Sequence, residues 1–191
     1  MLKKFFFYPL FIIGLIYIIY PTPSRIEDFA PLPRSYKSNE PGDTIQNPNI
    51  AAYYSFFRRD EIIDFYKTNY QNLHFCNFFL NPLCFIPPIR LNHPPEYAYQ
   101  YIRDQQVSTF LEEYTYPLRD SLFVNGYEIL RPDGTSIFYS VPRLEEAGKS
   151  WPTKVTLRLY TSNILVRIIV WAAILISMKN LFRLGMKIAK E

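Results

Sequence analysis

Glu112 and Glu113, with Arg119 and Asp120 a few residues on, are the side chains in this sequence best suited to chemistry. Paired carboxylates in one cleft can divide the roles of general acid and general base. Residues 108–116 are rich in strand-favouring types, however, and neighbours on a strand point to opposite faces. Glu112 and Glu113 therefore cannot both serve one pocket. The plainer expectation for them is a solvent-facing carboxylate and an ion pair. A cleft near Glu112, Arg119 and Asp120 supports an alternative function, an extracytoplasmic enzyme or small-ligand-binding protein.

Cys76 and Cys84 are the only cysteines, and they sit in an aromatic, proline-bearing stretch. On the outer side of a membrane such a pair is expected to form a disulfide, and in a reducing compartment two buried thiols. Neither has a Cys or His at metal-ligand spacing, and His74 and His93 stand apart, so no metal site is expected. The sequence contains no Gly-x-Ser-x-Gly, His-Glu-x-x-His, phosphate-binding glycine loop or dinucleotide fingerprint. No catalytic residue and no cofactor is assigned, and a non-enzymatic role is favoured.

The elements that would position these residues follow from pattern. Ile50–Phe57 is a first strand, and Asp60 is an N-cap for a helix to Gln71. That helix places Ile62, Phe65, Tyr66 and Tyr70 on one face, a core stripe. Pro94 and Pro95 start a short second helix reaching Asp104, with Tyr97 and Tyr101 one turn apart. Strands follow at 108–116, around Asn125-Gly126 as a two-residue hairpin, at 136–141 after Pro132-Asp133-Gly134, and at 154–160. Val155, Leu157 and Leu159 alternate with Thr156, Arg158 and Tyr160. These short strands and two short helices on an antiparallel sheet predict an α+β domain at 49–161. Residues 21–48, with six prolines, are expected to be an extended lead to it.

Both ends of the chain are apolar. Residues 5–20 carry no charge and follow Lys3 and Lys4, and at 1.5 Å per residue they give roughly 24 Å of helix. A hydrocarbon core is about 30 Å thick, so snorkelling lysines must cover part of the difference. A cleaved signal peptide is the competing reading, with Thr22 and Ser24 at a weak cleavage spacing. The second run, 164–178, is interrupted by Arg167 and followed by Lys179, Arg183, Lys187 and Lys190. A buried helix of a soluble protein competes with a membrane span there.

Charge separates these readings. The net charge is +4, yet residues 21–162 hold 14 basic and 16 acidic side chains. The positive excess lies in the two tails, which argues against nucleic acid as a partner. Basic residues flank the outer end of each apolar run, as expected when both termini are cytoplasmic. The predicted architecture is an α+β extracytoplasmic domain between two transmembrane helices, at 1–20 and 162–191, with residues 21–162 on the opposite side. The expected partners are the lipid bilayer and a protein, or a second copy of the chain. The expected role is that of an accessory or assembly subunit of a membrane complex.

Overall fold

A computed structural model of the chain describes residues 2–40, 47–76, 86–93, 109–129 and 144–189. The helix beginning at 94–95, the turn at 132–134 with the strand after it, and the Cys76–Cys84 pairing lie outside the described residues. The chain divides into two compact units. One comprises residues 22–116 and 120–160, and the other comprises 1–21, 117–119 and 161–191.

The first unit is α+β. Its six-stranded antiparallel sheet has the order β1-β2-β8-β5-β4-β3. These strands are β1 (Tyr36–Lys37), β2 (Ile50–Ser55), β3 (Ile89–His93), β4 (Phe110–Tyr116), β5 (Asp120–Glu128) and β8 (Thr153–Thr161). Between β5 and β8 in sequence, β6 (Leu144–Glu146) and β7 (Lys149–Trp151) form a separate hairpin. Its turn uses Ala147 and Gly148, both at positive φ (52° and 69°), the left-handed pair that tight hairpins require.

One helix of this unit, α2 (Arg59–Gln71), packs on β4 and β5. Arg58, not Asp60, is its N-cap: the Arg58 N–H donates to Glu61 Oε2 at 2.8 Å. Ile62, Ile63, Tyr66 and Tyr70 are buried, while Phe65 is only half-buried. The stripe therefore follows 62, 66 and 70 as expected, and Ile63 takes the place given to Phe65. In β8, Val155, Leu157 and Leu159 are buried as expected and Tyr160 is half exposed, but Thr156 on the other face is buried as well.

Two sequence expectations are corrected. Asn125-Gly126 is not a hairpin turn. Strand β5 runs straight through it, and Gly126 pairs with Phe110 across the sheet. A Cβ on Gly126 would run into the Phe110 ring, so the glycine is there to admit a neighbour's ring. The β4–β5 turn is instead Pro117-Leu118-Arg119, without glycine, and Leu118 takes a φ of 63°. Nor is 21–48 an extended lead throughout. It contains a 3₁₀ turn (Ile26–Asp28) and β1, and Ile26, Phe29 and Leu32 are buried.

The second unit is helical. Its α1 (Leu2–Ile19) contains Pro9 and an apolar stretch from Tyr8 to Ile19, and α3 (Ile164–Ile188) has 25 residues. Among the described residues, α3 is the one helix long and apolar enough to cross a membrane. Its apolar window is only 6% buried, unlike the core helix of a soluble protein. Asn163 caps it, the side chain accepting from the Leu165 N–H at 2.8 Å. The two helices pack together with Gly14 against the Trp171 indole, where a larger residue would collide.

Candidate functional site

Strand alternation sets the site's first rule. On β4, Phe110, Glu112, Tyr114 and Tyr116 share the face that α2 covers, and Glu113 points the other way. Glu112 is accordingly fully buried, and of the two carboxylates it is the one paired with arginines. Its carboxylate accepts from Arg90 Nε (2.7 Å) and Nη2 (2.8 Å), from the Tyr114 hydroxyl (2.9 Å) and from Arg59 Nη2 (3.3 Å). Arg90 arrives from the edge strand β3, and Arg59 from the first turn of α2. Burial by itself would raise the Glu112 carboxyl. The Arg90 and Tyr114 hydrogen bonds and the Arg90 charge outweigh it, holding the group below its ordinary value. Burial and the neighbouring Glu112 charge push the Tyr114 phenol upward.

Glu113 has separate partners on the opposite face. It accepts from the Ser121 hydroxyl at 2.8 Å and meets His93 Nε2 at 3.0 Å. Its side chain is 17% exposed.

Asp120 has other partners. Its carboxylate faces His74 Nε2 at 2.8 and 2.9 Å, and both side chains are fully buried. His74 Nδ1 lies 2.8 Å from the Tyr70 carbonyl. A carbonyl only accepts, so Nδ1 is the donor in this contact. The Tyr70 hydroxyl donates to the Asp120 carbonyl at 2.9 Å. The Tyr70 and Tyr116 rings pack on the imidazole with centroids 4.3 Å away.

A histidine oriented by a carboxylate supplies two members of a catalytic triad. Here, however, both ring nitrogens are committed to protein oxygens, leaving none for a nucleophile. Sequence reading did not bring His74 to Asp120. The available signal was the spacing 62, 66, 70, 74, which extends the buried stripe of α2 by one more turn onto His74.

Arg119 belongs to the helical unit. Its Nη2 donates to the carbonyls of Tyr20 (3.1 Å) and Pro21 (3.0 Å), and its guanidinium lies over the Tyr17 and Tyr20 rings at 5.2 and 5.7 Å. The Arg119 carbonyl accepts from the Ser162 N–H and hydroxyl. Arg167, the charge inside the second apolar run, donates from Nε to Ser162 Oγ at 2.7 Å. Arg119 thus joins the C-terminal end of α1 to the N-terminal end of α3.

The four polar residues singled out from sequence thus enter four different sets of contacts. Among the described residues, no group of three or more His, Cys, Asp or Glu side chains could hold a metal. No family model, curated protein or solved structure matches the chain.

Proposed function

We propose that the chain is a double-anchored membrane protein whose α+β unit binds a protein partner on the extracytoplasmic side, as an accessory or assembly subunit. The observation that carries the reading is the exposed edge of the sheet. Ile89 and Leu91 of β3 are 50% and 41% exposed. By register they share the face of Glu113 and Phe123, opposite the one that α2 covers. Tyr160, also 50% exposed, meets the Phe123 ring edge-on at 5.2 Å and extends this apolar surface. Among the described residues β3 pairs only with β4, so its outer backbone suits an added strand.

The anchoring half rests on α3, whose apolar surface is left open on nearly all sides. In water such a surface drives aggregation, and in lipid it needs no cover. α1 is short for a span, but it packs on α3, and Arg119 holds the C-terminal end of one helix and the N-terminal end of the other. That pairing supports termini on the same side, which the flanking lysines and arginines make cytoplasmic. The non-enzymatic half is supported by Glu112, Asp120 and His74, whose polar atoms are already occupied by protein groups.

A photo-crosslinking residue at Leu91, in cells, tests the partner. The expected result is an adduct of one defined mass, absent when the crosslinker replaces Lys37 on the opposite edge and lost on Ile89→Lys. A membrane-inserted, folded chain giving no adduct at Leu91 would overturn the interaction reading.

A further inference from the structure

The helical unit contains a groove between α1 and α3 whose two halves differ in chemistry. Phe11 of α1 and Ala172, Leu175 and Ile176 of α3 line it with hydrocarbon. One, two and three turns further along the same stripe, Lys179, Arg183 and Lys187 add cations to the lining, beside Phe182, Leu184 and Met186. The spacing of four residues keeps these three on one helix face, directly below the apolar residues. All three are exposed, and none has an acidic partner among the described residues. Glu191 is the one acidic residue in 1–26 and 164–191, so the local field is predominantly positive.

We propose that this groove holds an anionic phospholipid, its acyl chains against Phe11, Leu175 and Ile176 and its headgroup phosphate on Lys179, Arg183 and Lys187. The proposal rests on the membrane reading above. Charge complementarity selects the occupant. A second copy of the chain would bring another set of cations to the same place, and a neutral lipid would leave these unpaired. A phosphate diester with two hydrocarbon tails satisfies both halves at once. Tyr8 also lines the groove, adding an amphipathic ring of the kind found at membrane interfaces.

The test uses the full chain in neutral detergent, exposed to equimolar phosphatidylglycerol and phosphatidylcholine and analysed by native mass spectrometry. Each cation near a headgroup is worth about fivefold in affinity, so retained phosphatidylglycerol should exceed phosphatidylcholine by about tenfold or more. The triple variant Lys179→Gln, Arg183→Gln, Lys187→Gln should lose that preference while keeping its helical circular dichroism. Ala172→Trp, which fills the groove without touching its charge, should lower retention of both lipids. Equal retention by the parent chain, a preference surviving in the triple variant, or a lipid-free dimer would each overturn the proposal. So would displacement of the lipid by inorganic phosphate, because the tails would then contribute nothing. Alkaline carbonate extraction separates the two readings. A chain that stays with the membrane but shows no lipid preference overturns the lipid site alone, and a chain that is released overturns both.

Discussion

Glu112 shows how far a residue's chemistry depends on what surrounds it. A carboxylate with no exposure, held by four hydrogen bonds from three side chains, is a structural anchor between an edge strand and a helix. Removing its charge leaves Arg90 and Arg59 facing a neutral amide. Glu112→Gln is therefore expected to lower stability by about 3 kcal/mol, the lower end for a broken buried pair because both arginines are partly exposed. Glu113→Gln should cost less than ~1 kcal/mol. Chemical denaturation of the full chain in detergent, followed by tyrosine fluorescence, measures both. The pH dependence has a definite sign. The Glu112 carboxyl lies below its ordinary 4.5 when folded. Its contribution is present above the unfolded value and disappears as pH falls through the lowered folded value. The parent should lose stability in that acid window, and Glu112→Gln should show a shallower loss there. The His74–Asp120 pair is coupled by geometry. A double-mutant cycle with His74→Ala and Asp120→Asn should give an interaction on the order of 2 kcal/mol.

At the scale of elements, the β4–β5 hairpin and its glycine can be tested directly. If Gly126 is a strand residue making room for Phe110, Gly126→Ala should be destabilising by about 2 kcal/mol, as overpacked cores are. Phe110→Leu in the same chain should restore part of the loss. Gly148 is the contrast: it sits at φ 69° with open space where a Cβ would go. Gly148→Ala should cost about 1 kcal/mol for the left-handed backbone, and no second-site truncation should relieve it. Rescue at Gly148 rather than at Gly126 would show that the two glycines had been assigned the wrong roles.

For the whole molecule the prediction concerns sidedness. Single cysteines in a chain with Cys76 and Cys84 replaced by Ser report it through a membrane-impermeant thiol reagent. Asn39 and Gly148 are exposed positions in the α+β unit, and Ala189 is exposed at the end of α3. The first two should react from outside the compartment and Ala189 only after the membrane is opened. Ser38, one residue away, is fully buried and would give a false negative. Labelling of Asn39 and Gly148 from the cytoplasmic side alone would rule out the proposed topology.

Local pattern alone carried a good part of this protein. The apolarity of 164–178, the stripe at 62, 66 and 70 and the apolar set at 155, 157 and 159 are properties of neighbouring residues, and each holds in the structure. Glu112 was also legible in principle, since it alternates with Phe110 and Tyr114 on a strand whose even positions are aromatic. Tertiary structure decided what depends on partners distant in sequence. Asn125-Gly126 has the chemistry of a turn, but pairing with Phe110, sixteen residues earlier, keeps it extended. His74 meets Asp120 across forty-six residues, and Arg119 meets Tyr20 across ninety-nine. Residues 26–32 enter the core because the sheet and α2 offer apolar surface to cover, a surface that no reading of their own prolines could supply. Short-range preferences are worth about 1 kcal/mol or less per residue, and burial of a single aromatic side chain exceeds that. Where the two disagree, the long-range contact prevails.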